Sequence, residues 1–116
     1  MGTYLEKIIK RRKAVTEALK KDYREEALRI VNLLEAGGFK FKKIYLFGSV
    51  TKDAALSSWS DIDLAIEGMP GEMYFKAYAF LLKKSRFPID FKPFEELDAL
   101  AKEKIRKEGR IIYESH

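Results

Sequence analysis

Apolar residues recur at helical spacing across residues 4–36. Leu19, Tyr23, Ala27, Ile30, Val31 and Leu34 share one stripe, and Gly37-Gly38 supplies a stop signal. Unbroken, this helix would measure ~50 Å at 1.5 Å per residue, longer than a domain of this size requires. Its first half, around KIIKRRK, is expected either to project or to form a separate short helix. From Phe39 to Phe47 the pattern turns to strand, most apolar at Ile44, Tyr45, Leu46 and Phe47. Gly48-Ser49 closes that strand, and a loop or short helix follows.

Asp61 to Glu67 alternates with period two: Ile62, Leu64 and Ile66 face one way, Asp61, Asp63 and Ala65 the other. Pro70-Gly71 opens a helix running to about Lys84, with Met73, Ala77, Phe80 and Leu81 on one face. Phe87 to Lys92 repeats the strand alternation, with Phe87, Ile89 and Phe91 opposite Asp90, and Pro93 breaks it. Glu95 to Glu108 reads as helix through Leu97, Leu100, Ala101 and Ile105, Gly109 caps it, and Arg110 to Tyr113 adds a short last strand. The pattern predicts an α/β domain: a small mixed sheet flanked by helices, preceded by a long N-terminal helix.

Composition narrows the possible chemistry. With 116 residues, 47% hydrophobic and 13% aromatic, the chain reads as one globular domain over 1–116, of which 1–36 is an N-terminal helical segment. The longest apolar run, Ala77 to Leu82, falls far short of the ~18 residues of a membrane span. The N-terminus lacks the apolar core of a secretory signal, and Glu6 stands where myristoylation requires Ser or Thr, so a cytoplasmic location is expected. There is no cysteine, and the single histidine is the last residue, which removes thiolate and histidine-based sites. Catalysis must then use carboxylates, hydroxyls, lysines or a metal held by oxygen. The net charge of +5 biases encounters weakly toward anionic partners.

Asp61 and Asp63 share a strand face, with Cα atoms roughly 6.6 Å apart. Hard cations such as Mg²⁺ take oxygen ligands, typically one or two carboxylates plus substrate phosphates. Asp90 joins them if its strand is adjacent, and three aspartates with two metal ions suit phosphoryl-transfer chemistry. The alternative is that Asp-x-Asp is merely the solvated start of a strand. Gly48 permits close backbone approach to a ligand, and Ser49 offers a hydroxyl and an amide where a phosphate would be favoured. The alternative there is an ordinary turn. Neither a Walker A loop nor a dinucleotide fingerprint is present.

Taken together, FGS (47–49), SDIDL (60–64), the Asp of PIDF (88–91) and EGRIIYE (108–114) resemble the minimal nucleotidyltransferases of the DNA polymerase β superfamily. The resemblance covers most of the chain from about Lys43 onward and implies that superfamily's fold. It implies that Gly48, Ser49 and Lys52 contact the nucleotide's phosphates. It also implies that Asp61, Asp63 and Asp90 are catalytic and bind metal, two Mg²⁺ ions, with Asp90 as ligand or base. The implied reaction moves a nucleoside monophosphate, most often AMP from ATP, to an acceptor hydroxyl. The chain departs from the family's G-S-x-A-R-G run. Lys52 stands at the arginine position, keeping charge without the planar fork, and Asp53 replaces a glycine. The spacer from Ser49 to Asp61 is one residue longer than is usual there.

Minimal members of that family are commonly paired with a helical HEPN-domain protein. The resemblance therefore implies a hetero-oligomer in which this chain is the antitoxin and the N-terminal helix is a docking element. A catalytically weak module that masks the same partner is the alternative, and an RNA-binding or RNA-tailing protein is a third reading. Trp59 fits either a base-stacking role or the cover of a core edge. Lys10-Arg11-Arg12-Lys13 fits an acidic partner, RNA or a solvated helix face. Tyr74 and Tyr78 fit an interface or boundary packing.

Overall fold

The computed structural model of the chain describes residues 3–48 and 60–115, with the side chains of residues 9 and 11–15 outside that description. The N-terminal helix α1 is continuous from Tyr4 to Ala36. Thr3 caps its start: the Thr3 hydroxyl accepts from the Glu6 amide, and the Glu6 carboxylate accepts from the Thr3 amide. Gly38, at φ 80°, turns the chain out of the helix, and the Phe39 amide closes on the Leu34 carbonyl at 3.1 Å. Among the described side chains, core packing along α1 begins at Leu19. The preceding turns carry the helix past the sheet, consistent with a molecule 58 Å long and 30 × 24 Å across. The separate-helix alternative is not what forms.

Strands β1 (Lys43–Phe47), β2 (Ile62–Glu67), β3 (Ile89–Pro93) and β4 (Arg110–Glu114) make one sheet in the order β3-β2-β1-β4. β1 runs antiparallel to β2 and β4, whereas β2 and β3 are parallel and joined across helix α2 (Gly71–Lys84). The expected strand from Phe39 is shorter because residues 39–42 turn the chain from α1 into the sheet, and Phe41 is buried in the core. β3 reaches Pro93 rather than stopping before it. An edge strand tolerates the missing N–H.

Period-two alternation places Ile44, Leu46, Ile62, Leu64, Ile66, Ile89 and Phe91 on one face, against α1 and α2. Burying Ile30, Val31 and Leu34 contributes roughly 1.5–3 kcal/mol each. That exceeds any difference in helix propensity, about 0.7 kcal/mol per residue, so packing fixes this half of α1. The second face carries a smaller cluster of Tyr45, Ala65, Phe94 and Ile105 under helix α3 (Ala99–Glu108).

The expected helix over Glu95–Glu108 is divided. A short 3₁₀ turn spans Phe94–Glu96, Leu97 is extended and packs on the second face, and Asp98 caps α3 by accepting from the Ala101 amide at 2.7 Å. An aspartate gains more at such a cap than within a helix. Leu100, expected on the apolar side, is 77% exposed because the restart at Asp98 rotates it outward. No helix among the described residues is long and apolar enough to cross a membrane.

Candidate active site

α3 packs on the second face through Ile105, and Asp63 and Asp90 lie on that same face near the end of β1. Asp63 lies opposite Phe47 of β1 and in register with Asp90 of β3. Cross-strand neighbours in register lie ~4.8 Å apart, so these two half-buried carboxylates share one small region of the sheet. Asp61 is exposed and immediately precedes β2. Gly48 follows β1 at φ 79°, and a Cβ there would lie 2.0 Å from Oδ2 of Asp63. Only glycine allows this approach, both for its left-handed backbone and for the space the carboxylate occupies.

Hydrogen bonds fix the strand ends that carry the aspartates. The hydroxyl of Tyr23 donates to the Ser60 carbonyl at 2.6 Å, and the Ile62 amide donates to the Pro88 carbonyl at 2.8 Å. Asp61 is therefore held between two anchored residues. On the other strand, the Tyr74 hydroxyl donates to the carbonyl of Phe91, next to Asp90. Tyr74 also stacks on the Phe91 ring with centroids 5.5 Å apart and planes 5° from parallel.

Burial, and then the charge of Asp61, raises the pKa of Tyr23. Burial, then Tyr78, Asp90 and Glu96, raises that of Tyr74. Both phenols therefore remain proton donors at neutral pH. Neither was singled out from sequence as a support for the site. The available signal was a tyrosine rather than phenylalanine on a buried stripe, since a buried hydroxyl is costly without a partner.

Lys92 sits two residues beyond Asp90 on the same face, its Nζ 3.2 Å from Asp90 Oδ2. The pair is partly exposed, so its direct contribution to stability is small, at most about 1 kcal/mol. Beside it, a cleft of about 240 Å³ opens between the end of β1 and α3, lined by Phe47, Gly48, Lys92, Leu97, Lys104 and Ile105 among others.

The register brings Asp63 and Asp90 together, with Asp61 one residue before β2, and carboxylate oxygens are the donors that hard divalent cations prefer. Among the described residues, no three acidic or histidine side chains gather closely enough to hold an ion by themselves. Mg²⁺ does not need three, because substrate phosphates complete its shell. Ser49, Lys52 and Trp59 lie outside the described residues, as do the side chains of Arg11, Arg12 and Lys13.

Comparison with curated proteins gives no match. Among solved structures, the chain is similar to two variants of the toxin–antitoxin pair MntA-HepT. An Asp-to-Glu double variant gives a TM-score of 0.61 at 18% identity, over 76% of this chain and 73% of that one. A Tyr-to-Ala variant gives 0.59 at 20% identity, over 76% and 72%. At these identities the likeness establishes the fold. The model of the nucleotidyltransferase domain matches residues 26–113, from the core-facing half of α1 into β4, a span that includes Gly48 and all three aspartates. By that match and by its fold, the chain belongs to the nucleotidyltransferase domain family.

Proposed function

We propose that this chain transfers a nucleoside monophosphate, AMP from ATP, to a hydroxyl on a protein partner, and does so as the antitoxin of a toxin–antitoxin pair. The observation that carries the reading is the register of Asp63 with Asp90, with Gly48 packed against the Asp63 carboxylate. Asp61, Asp63 and Asp90 would hold Mg²⁺, which when bound neutralises phosphate charge and stabilises departing pyrophosphate. Gly48 lets the β1 terminus pack against the Asp63 carboxylate, and the Ser49 hydroxyl and Lys52, which follow in sequence, would meet the phosphate chain. Asp90 accepts the acceptor's proton as its oxygen bonds to the α-phosphorus and the bond to the β-phosphate bridge breaks. Family membership supports the transferase chemistry.

The antitoxin role draws on the two similar structures, both of a toxin–antitoxin pair, and on the helical HEPN-type partner implied by the sequence resemblance. The part of α1 that precedes Leu19 is the docking element of this reading, because the described core contacts of the helix start there. Titrating ATP with and without Mg²⁺ tests the reading. Mg²⁺-dependent binding that disappears in Asp61→Asn/Asp63→Asn is the expected result, and binding that survives in that variant would overturn it.

A second reading is favoured by the Lys92–Asp90 ion pair, which occupies a proposed ligand. In that reading the chain neutralises its partner by masking it. Neutralisation by Asp63→Asn as complete as by the wild type would select it.

A further inference from the structure

Lys104 of α3 is exposed and borders the cleft beside the aspartates. Leu97, Ala101 and Ile105 face the cleft beside the aspartates, as α3 packing requires, yet Lys104 lines the same cleft. Two other lysines of α3 have local partners: Lys107 pairs with Glu103 at 2.9 Å, and Lys102 lies over the ring of buried Phe94. Lys92 enters the cleft from the opposite wall, beside Asp90, and Gly48 forms the end nearest Asp63. One carboxylate, Glu108, also borders the cleft.

Two lysines thus line a cleft whose far end is the start of the proposed phosphate turn. Lys92 is already paired with Asp90, and Lys104 is exposed beside the same cleft. A lysine is a compact point charge that serves phosphate oxygens well.

We infer that Lys92 and Lys104 form the cationic half of the phosphate site and bind the β- and γ-phosphates that leave as pyrophosphate. The inference rests on the transferase reading above and assigns it two residues from β3 and α3, elements far from the Gly-Ser turn in sequence. In this arrangement Lys92 holds Asp90 before substrate arrives and exchanges that carboxylate for phosphate when nucleotide binds.

The test uses the full chain with Lys92→Met, Lys104→Met and the double variant, methionine preserving the apolar stem. Calorimetry with Mg²⁺ compares ATP, inorganic tripolyphosphate and adenosine. Each single variant should lose roughly tenfold in affinity for ATP and tripolyphosphate, the loss of one charged hydrogen-bond donor. The double variant should lose more, adenosine binding should not change, and arginine at either position should restore most of the loss. Mn²⁺ affinity in Lys92→Met should hold or rise, because a cation beside Asp90 has gone; a merely structural role for Lys92 would not produce that pattern. Wild-type binding that depends on Mg²⁺ and Asp63, combined with unchanged affinity in the double variant, would overturn this inference and leave the transferase reading standing. Failure of the wild type to bind either ATP or tripolyphosphate would overturn both.

Discussion

Tyr23, buried in α1, donates its phenolic proton to the carbonyl of Ser60 at 2.6 Å and so ties the long helix to the residue before Asp61. Tyr23→Phe keeps the ring and its contact with Phe87, whose centroid is 4.2 Å away, and removes the hydroxyl that bonds Ser60. Leaving the bond unmade should cost about 0.5–1.5 kcal/mol in denaturant unfolding. Metal-dependent nucleotide affinity should fall as well, because Asp61 loses one of its two anchors. A variant with normal affinity would show that the bond serves folding alone.

Gly48→Ala should be more damaging than its single methyl suggests. The left-handed backbone costs about 1–2 kcal/mol for a residue with a Cβ. The new carbon would also overlap the Asp63 carboxylate. Denaturant midpoint and ATP titration together should show a moderately destabilised protein with binding lost. Full binding would mean that Asp63 can move aside freely.

Asp63→Asn removes charge without removing volume, on the face opposite the main core. Transfer should be abolished while circular dichroism and the unfolding midpoint stay close to wild type. Asp90→Asn should also lower transfer, and it frees Lys92 from its ion pair. Unchanged transfer in Asp63→Asn would end the metal assignment.

Acid stability should depend on Glu26, which is 3% exposed. Burial alone would raise its pKa, but hydrogen bonds from the Arg29 guanidinium and the Arg86 amide outweigh burial and hold it below the usual glutamate range. A carboxylate depressed in the folded state stabilises fully above its unfolded pKa, about 4.3, and that stability is lost as pH falls through the lower folded value. Glu26→Gln should cost about 1.5–3 kcal/mol at neutral pH and flatten the unfolding curve below pH ~4. An acid limb equal in both proteins would contradict this.

A chain beginning at Thr16 should fold, since described core contacts along α1 start at Leu19. Loss of the Thr3 cap should cost about 1 kcal/mol, while association with a HEPN-type partner, followed by size-exclusion chromatography, should disappear. Retained association would move the docking surface elsewhere.

What the sequence by itself determined is local and periodic. The α1 stripe from Leu19 to Leu34, the alternation through Ile62, Leu64 and Ile66, and the stop at Gly37-Gly38 depend on spacing within one segment, and each forms as read. Boundaries shifted where a side chain had a better local alternative, as when Asp98 capped α3 and turned Leu100 outward. The Asp-x-Asp spacing and the glycine that ends β1 are also visible in the sequence, because each lies within a few residues.

Only the tertiary structure decided which distant residues meet. The parallel pairing of β2 with β3 sets Asp63 beside Asp90. The end of β1 brings Gly48 against Asp63, and α3 turns Lys104 toward the same cleft. Tyr23 reads as one position of the α1 stripe and Tyr74 as interface or boundary packing, and only the fold sets their hydroxyls on carbonyls 37 and 17 residues away. Hydrogen bonds and charges across such separations leave no period in the chain, because chain-distant partners are chosen by how the sheet and helices pack.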